Sequence, residues 1–329
     1  MQSTINSTHK IKATTEQIHT MMDYYQGYLE YGTSDYIHAR AKLANATITF
    51  YKTNVVLFQG INATNEYNKW AQKFGLNISN EPAREATNYE NLIAIGSDEV
   101  GTGDYFGPIV VCATYTDHEA ATKLRHLGVK DSKLLTDKQM IPLALEIAAI
   151  VPYSIIYLDP YKLNSLSSKY DNLNFIKAYL HNKAINSILK KIGNVKYDAI
   201  LIDEFTPKEK YLKYIENQSN VVSNITTVVH GEKEHIGIAA ASILARAAFL
   251  RELKKLSIEY KMELLKGAGH EVDRSAISFV RSYGFKELFK VAKIKFANSE
   301  RIIKFFENNP LPKSKELGLT EIKQKLKVL

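Results

Sequence analysis

Leu92-Ile93-Ala94-Ile95-Gly96-Ser97-Asp98-Glu99-Val100-Gly101-Thr102-Gly103-Asp104-Tyr105-Phe106-Gly107-Pro108 decides how this chain is read. An apolar strand, Leu92–Gly96, runs into two adjacent carboxylates. A glycine-rich segment, Gly101–Pro108, then separates it from a second apolar strand, Ile109–Tyr115. Acids at strand ends stand where clefts form in open α/β sheets. Two more acids share that setting: Asp203 closes the apolar run Ala199–Ile202, and Glu232 lies between a strand and an Ala-rich helix. Carboxylates crowded together repel unless cations neutralise them. Oxygen ligands with few histidines favour Mg²⁺ or Mn²⁺ over Zn²⁺. Two such ions about 4 Å apart can hold an attacking water and a leaving oxygen on opposite sides of a phosphorus. The pattern therefore points to metal-assisted phosphodiester hydrolysis with no covalent protein intermediate.

A single strand-end Asp is more often a helix cap or a turn residue. Neighbours on a regular strand also point to opposite faces. Asp98 and Glu99 are thus expected to share an ion only if the strand ends or bulges there, which Gly101 and Gly103 would allow. Glu204 and Glu234 are rival ligands that spacing does not exclude.

Working outward from this segment, the chain changes character near position 90. Before it, Ile18, Met21, Met22, Tyr25 and Leu29 recur at helical spacing, predicting a helix over 14–31. Ala44, Ala46, Ile48 and Phe50 alternate with Asn45, Thr47, Thr49 and Tyr51, predicting a half-buried strand. A second strand over Asn54–Phe58 and a helix over Glu66–Phe74 follow, with Gly75 at the C′ position. Residues 1–80 read as a small α+β domain and 81–90 as a linker. Residues 91–329 read as a larger domain with a basic C-terminal tail.

In that larger domain Thr136 and Gln139 form a capping pair for a helix to Ile150. Strands are expected at Ser154–Leu158, Ala199–Ile202 and Ile225–Val229. Helices are expected from Leu173 to Ile192, over Lys208–Asn217 and over Ile236–Glu263. Antiparallel strands first and βαβ units afterwards give a mixed sheet flanked by helices, an α/β fold.

Composition sets outer bounds. Of 329 residues 45% are apolar and 24% charged, a globular mixture. Apolar runs are short, so no membrane span is expected. The start, MQSTINSTHK, lacks an apolar core behind basic residues, so no secretory signal is expected. The lone Cys112 excludes an intramolecular disulfide and fits a reducing compartment, with the cytoplasm as default. Residues 1–90 hold eight basic and eight acidic residues, so the net charge of +8 lies wholly in the 35 basic and 27 acidic residues that follow. Phosphate contacts are expected there.

Ser97–Pro108 resembles the DEVGxG…GP signature of the ribonuclease HII/HIII family. Three more segments agree in order and spacing. Val129-Lys130-Asp131-Ser132-Lys133-Leu134 resembles the family's DSK segment, and Leu201-Ile202-Asp203 its second acidic strand. Gly231-Glu232 with Ala239-Ala240-Ala241-Ser242-Ile243 resembles its fourth acid and AAAS helix. The resemblance implies a ribonuclease H-like fold and an endonuclease that hydrolyses RNA within RNA–DNA hybrids, leaving 3′-hydroxyl and 5′-phosphate ends. It implies that Asp98, Glu99, Asp203 and Glu232 are the catalytic metal ligands, holding Mg²⁺ or Mn²⁺. Thr102 and Glu232 stand where ribonuclease HII usually has Arg and Asp, which favours the HIII branch. That branch's extra domain resembles the TATA-box-binding fold, as the N-terminal unit would.

For substrate, Gly101, Thr102 and Gly103 are expected to bring backbone groups to the ribose 2′-hydroxyl, although a plain hairpin turn would look the same. Lys133 is a candidate phosphate contact, and Ser242 a second one or simply a small packing residue. The polar strand face suits nucleic acid or, equally, a sheet facing water, while Tyr24, Tyr25, Tyr28, Tyr31 and Tyr36 are candidates for stacking on sugars or bases, although the spacing of several favours core or interface positions. Lys293, Lys295, Arg301 and Lys304 are read as lining the hybrid or as a solvated face, and Pro310–Leu329 as a loosely attached helix. A monomer with no protein partner is expected. The alternatives are cleavage at single embedded ribonucleotides, as in ribonuclease HII, or a catalytically silent nucleic-acid-binding protein.

Overall fold

The computed structural model describes residues 7–31, 36–75, 89–129, 136–166 and 172–327. The chain divides into two compact units, Met1–Thr87 and Asn88–Leu329. The division falls inside the expected linker 81–90, of which residues 81–88 lie outside the described ones.

The N-terminal unit runs β1 (Ser7–Lys12), α1 (Thr15–Tyr24), β2 (Leu29–Tyr31), β3 (Ile37–Leu43), β4 (Ala46–Tyr51), β5 (Val55–Gly60) and α2 (Ala63–Lys73). Its strands form an antiparallel sheet in the order β1-β5-β4-β3-β2. Ala39, Ala41, Ile48, Phe50, Val56 and Phe58 bury one face of the sheet against Ile18 and Met21 of α1 and Trp70 of α2. The first helix is shorter than the expected 14–31. Thr14 and Gln17 close a capping box at its start, but it stops at Tyr24, two residues before a 3₁₀ turn over Gln26–Tyr28. Gly27 is a poor helix former, and Leu29–Tyr31 gains a ladder with β3 instead. Strands β1 and β3 have no counterpart in the sequence reading, because His9, Lys10, Lys12, His38, Arg40 and Lys42 make them look like charged loops.

The larger unit runs β6 (Ala94–Val100), β7 (Ile109–Thr116), α3 (His118–His126), α4 (Asp137–Ile150), β8 (Tyr153–Leu158), α5 (Pro160–Ser165), α6 (Leu173–Ile192), β9 (Ala199–Asp203), α7 (Lys208–Ile215), β10 (Thr226–Val228), α8 (Gly231–Glu234) and α9 (Ile236–Glu259). The strand order is β10-β9-β6-β7-β8. β6–β7 and β7–β8 are antiparallel, while β9 pairs parallel with both β6 and β10. This is the expected mixed sheet.

Helices cover both faces. Val110 and Cys112 share a core with Ala240 and Leu244 of α9. Ile109, Val111 and Ala113 pack with Ile176, Ile185 and Ile188 of α6. Every residue of β7 is buried, as expected for a strand between two helix layers, which reads as a continuous apolar run. Helix α9 lies directly on β6. A Cβ on Gly96 would come within 2.5 Å of Gly237 C and Ile238 N, so only glycine permits this approach. Thr114 Oγ1 reinforces it, donating to Gly237 O at 2.8 Å.

After α9 come α10 (His270–Tyr283), α11 (Phe285–Val291), α12 (Ala297–Asn308), α13 (Lys313–Glu316) and α14 (Leu319–Lys327). The tail is not loosely attached. Ile322 is fully buried in the main core, with Leu319 and Leu326 packed against it at helical spacing.

Candidate active site

β6 and β9 run side by side, and their last ladder pair is Ser97 with Ile202. The next residue on each strand is an acid, Asp98 and Asp203. Ala94 and Leu201 pack with Ile238 of α9, whereas Ile95, Ile200 and Ile202 face α6. Alternation then points Asp98 and Asp203 towards α9 and Glu99 towards α6. β6 neither bulges nor ends at the acidic pair, since its register with β7 is unbroken from Ala94 to Val100. The condition set for a shared ion is therefore not met by a backbone break, and the pair straddles the sheet.

Asp98 is buried. One of its oxygens accepts from Glu99 N at 2.7 Å, and the Ser242 hydroxyl, reaching down from α9, also donates to it. Burial pushes its carboxyl up to about 8, and the charges of Glu99 and Asp203 add to the shift against the two hydrogen bonds. Asp203 is half-buried, and its carboxyl is also raised, first by burial. Gly231 N–H, donating to its Oδ1 at 2.7 Å, opposes the rise, while Glu232 and Glu99 add to it. That bond ties the start of α8 to the end of β9 and brings half-buried Glu232 within electrostatic reach of Asp203. The preceding His230 makes the tight turn with a left-handed φ of 53°. Of the rivals, Glu204 accepts from Thr227 Oγ1 at 2.9 Å and Glu234 is exposed.

Glu99 is occupied on the other face. Its Oε1 meets Lys177 Nζ at 3.0 Å and its Oε2 meets His181 Nε2 at 2.9 Å, both from α6. Burial alone would raise this carboxyl, but His181 and Lys177 hold it below the ordinary glutamate value. His181 Nδ1 lies 2.7 Å from Ser97 Oγ, and the imidazole stacks on Phe205 with ring centres 5.3 Å apart. Sequence reasoning missed this group. Its signal was present: Lys177 and His181 stand four apart on a helical stripe that is otherwise apolar.

Among the described residues no three His, Cys, Asp or Glu surround one point closely enough to form a ready metal cage. Glu99 has both oxygens bound to α6. Among the same residues neither Asp98 nor Asp203 has a Lys or Arg ion-pair partner. The donor set is carboxylate oxygen, the ligand type that fits a hard divalent cation.

The glycine segment is built against this centre. Gly101 has φ +94°, and a Cβ there would lie 2.2 Å from Pro108 O, so the turn itself requires glycine. Thr102 is half-buried and Gly103 exposed, and a Cβ on Gly103 would meet nothing within 4 Å. The C-terminal helices clamp the following residues. Tyr105 N donates to Gly267 O at 2.8 Å, Gly107 N to Val291 O at 2.9 Å, and Lys293 N to Tyr105 O at 2.8 Å. Lys293 Nζ donates to Gly107 O at 2.6 Å and Phe106 O at 3.2 Å. Lys293 is consequently buried and lines no substrate surface. Arg301 is engaged with Asp273, Nε to Oδ2 at 2.6 Å. Buried Lys293 corrects the reading of these residues as a hybrid-lining or solvated face, while Arg301 and Lys304 are exposed. Ser242 gives its hydroxyl to Asp98, and Lys133 lies outside the described residues.

The Ribonuclease HII family model matches residues 95–299, a span holding the four acids, the glycine segment and Ser242. The chain belongs to the ribonuclease HII/HIII family. Ribonuclease HIII of Enterococcus faecalis is 38% identical over 297 residues, covering 89% of this chain and 97% of that one. Ribonuclease HIII of Bacillus mycoides is 39% identical over 275 residues, covering 81% and 88%. These relatives place the chain on the ribonuclease HIII branch. The crystal structure of Bst-RNase HIII in complex with Mn²⁺ superposes with a TM-score of 0.66 at 34% identity, covering 92% of this chain and all of that one. A ribonuclease H2 from Pyrococcus horikoshii, 23% identical with a TM-score of 0.54, shares the fold over 66% of the chain. Residues 8–82 match a separate domain family of unknown function.

Proposed function

We propose that this ribonuclease HIII family member is an endoribonuclease that hydrolyses the RNA strand of RNA–DNA hybrids with Mg²⁺ or Mn²⁺, leaving 5′-phosphate and 3′-hydroxyl ends. One observation carries the reading. Asp98 and Asp203 each follow the last ladder pair of two adjacent parallel strands, on the same face and buried or half-buried, with Glu232 beside Asp203 and, among the described residues, no Lys or Arg paired with either Asp. Asp98, Asp203 and Glu232 would hold a cation from that face, with Glu99 joining from the strand end. A divalent cation there supplies Lewis-acid stabilisation of the phosphorane charge and a more acidic water.

The chain's own groups do the rest. Ser242 orients Asp98, and Gly231 N–H orients Asp203. The open backbone at Thr102 and Gly103 is the candidate reader of the ribose 2′-hydroxyl, the group that separates RNA from DNA. In the N-terminal unit a shallow polar hollow lined by Thr8, Arg40, Lys42, Thr47, Tyr51 and Gln59 is the candidate second contact for the hybrid backbone. The test is Asp98→Asn, which keeps the side-chain shape and removes the charge. It abolishes Mg²⁺-dependent cleavage of a labelled hybrid and leaves hybrid binding intact; undiminished cleavage excludes the proposed role.

A further inference from the structure

Glu99 has both of its oxygens already taken. Its two partners differ in kind. Lys177 is an ammonium, 3.0 Å from Oε1, with its charge also 4.2 Å above the ring centre of Phe205. His181 is fully buried between Ser97 and Phe205, its Nε2 2.9 Å from Oε2. A carboxylate only accepts, so Nε2 carries a proton towards Oε2, while Nδ1 lies against Ser97 Oγ. Ser97 Oγ also lies 2.9 Å from Cys112 O, and its single proton serves one acceptor at a time.

We propose that Lys177 and His181 are positioning residues for Glu99 with opposite effects on cation loading. This rests on the reading of Asp98, Glu99, Asp203 and Glu232 as cation ligands. In the cation-free protein Lys177 stands in for the missing positive charge. When a divalent cation loads, Oε1 leaves Lys177 for the cation, because an ammonium and a metal ion on one oxygen repel each other. Oε2 stays with His181, whose ring is fixed from both sides by Ser97 and Phe205. A ligating carboxylate is characteristically held in this way by an outer hydrogen bond. Phe205 gives the released ammonium a place to rest. The arrangement holds Glu99 in place through His181, while Lys177 competes for one of its oxygens.

The experiment is Mn²⁺ titration of the metal-free, full-length protein, following free Mn²⁺ by electron paramagnetic resonance, with folding checked by thermal melts. Lys177→Met binds Mn²⁺ about fivefold more tightly, the scale of removing one nearby like charge across partly screened space. Lys177→Arg restores the wild-type affinity. His181→Ala binds at least about tenfold more weakly, as loss of an outer-shell hydrogen bond does, and His181→Gln, which keeps a donor near the Nε2 position, recovers most of that loss. Lys177→Gln serves as a second charge-removing variant should Lys177→Met fail to fold. In the wild-type protein the Nε2–H proton of His181 stays visible by NMR on Mg²⁺ addition. An affinity for Lys177→Met equal to or weaker than wild type, unchanged affinity in His181→Ala, or disappearance of that proton each overturns the inference. Asp203→Asn separates the two levels. If it binds Mn²⁺ as well as wild type, the cation-site reading itself falls. If it loses binding while the α6 variants match wild type, only the positioning roles fall.

Discussion

Replacing Gly96 by alanine tests how tightly the catalytic sheet and its main helix are pressed together. The added Cβ would lie 2.5 Å from Gly237 C and Ile238 N and 2.9 Å from Gly237 O, whereas ordinary contact begins near 3.4 Å. All three obstructing atoms are backbone, so no side chain can swing aside. β6 and α9 must part by about 1 Å. Overpacking of this kind costs roughly 1–3 kcal/mol, and with backbone on both sides the upper end applies, about 3 kcal/mol. For a unit of this size that lowers the melting temperature by roughly 6–12 °C. The displacement also moves Ser242 and Asp98 relative to each other, and an error of about 1 Å in a reacting geometry can cost roughly a hundredfold in rate. Urea denaturation and hybrid-cleavage kinetics on the same preparation read both effects. Gly103→Ala is the internal control for stability, since its Cβ meets nothing within 4 Å. If Gly96→Ala and Gly103→Ala melt alike and Gly96→Ala keeps wild-type turnover, the close approach of β6 and α9 is not as described.

Three further outcomes are expected. Gly103→Ala, though as stable as wild type, cuts hybrid substrates more slowly if the exposed glycine backbone is where ribose is read; unaltered kcat/KM would remove Gly103 from that role. Asn164→Leu strands Phe289 O, Ala292 O and Ile294 N, which its amide now satisfies at 2.8, 2.8 and 3.1 Å. At about 1–3 kcal/mol for each of these three buried groups the loss is roughly 3–9 kcal/mol by chemical denaturation, and a loss under about 1 kcal/mol would contradict it. Acid sensitivity follows from His235, whose Nδ1 accepts from Gly237 N at 3.0 Å and whose Nε2 faces Leu92 O at 3.1 Å. Burial holds its pKa below the ordinary 6.5. The unfolded chain therefore binds a proton that the folded chain refuses, and stability falls as pH drops below about 6.5, with a slope of at most about 1.4 kcal/mol per pH unit from this group. His235→Asn, which keeps an acceptor at the helix cap, flattens that limb, and an unchanged limb would assign it elsewhere.

The sequence was most legible where one physical signal dominates. β7 is apolar at nearly every position because both faces are covered, so its strand character needed no alternation to be seen. The acids at 98, 203 and 232 stood out because they close or follow such runs. Legibility failed where two signals compete. His38, Arg40 and Lys42 disguise β3, whose inward Ile37, Ala39 and Ala41 are individually weak. The helical spacing of Tyr25 and Leu29 continues through Gly27 into residues that pair as a strand, and no local pattern announces that partner. Lys293 reads as a surface charge by residue type, yet long-range packing makes it the donor that secures Phe106 and Gly107.

The adjacency of Asp98 and Glu99 reads as one feature in the sequence and becomes two in the fold. A regular strand through Val100 sends them to opposite faces, and each face supplies its own environment. Towards α9, Asp98 meets Ser242 and the charge of Asp203, and burial with those neighbouring acids raises its carboxyl. Towards α6, Glu99 meets Lys177 and His181, and its charge is already answered. The β6–β9 ladder ends at Ser97 and Ile202, so beyond that pair the strand edge is open at the level of both acids. A cation seated at that edge can be approached from either face. Regular β geometry therefore accommodates a shared site without a bulge, provided one of the Glu99 oxygens can be released from α6. On the proposed reading, the helix that holds Glu99 must yield one of its oxygens to a cation, so Lys177 and His181 would tune metal affinity alongside the carboxylates.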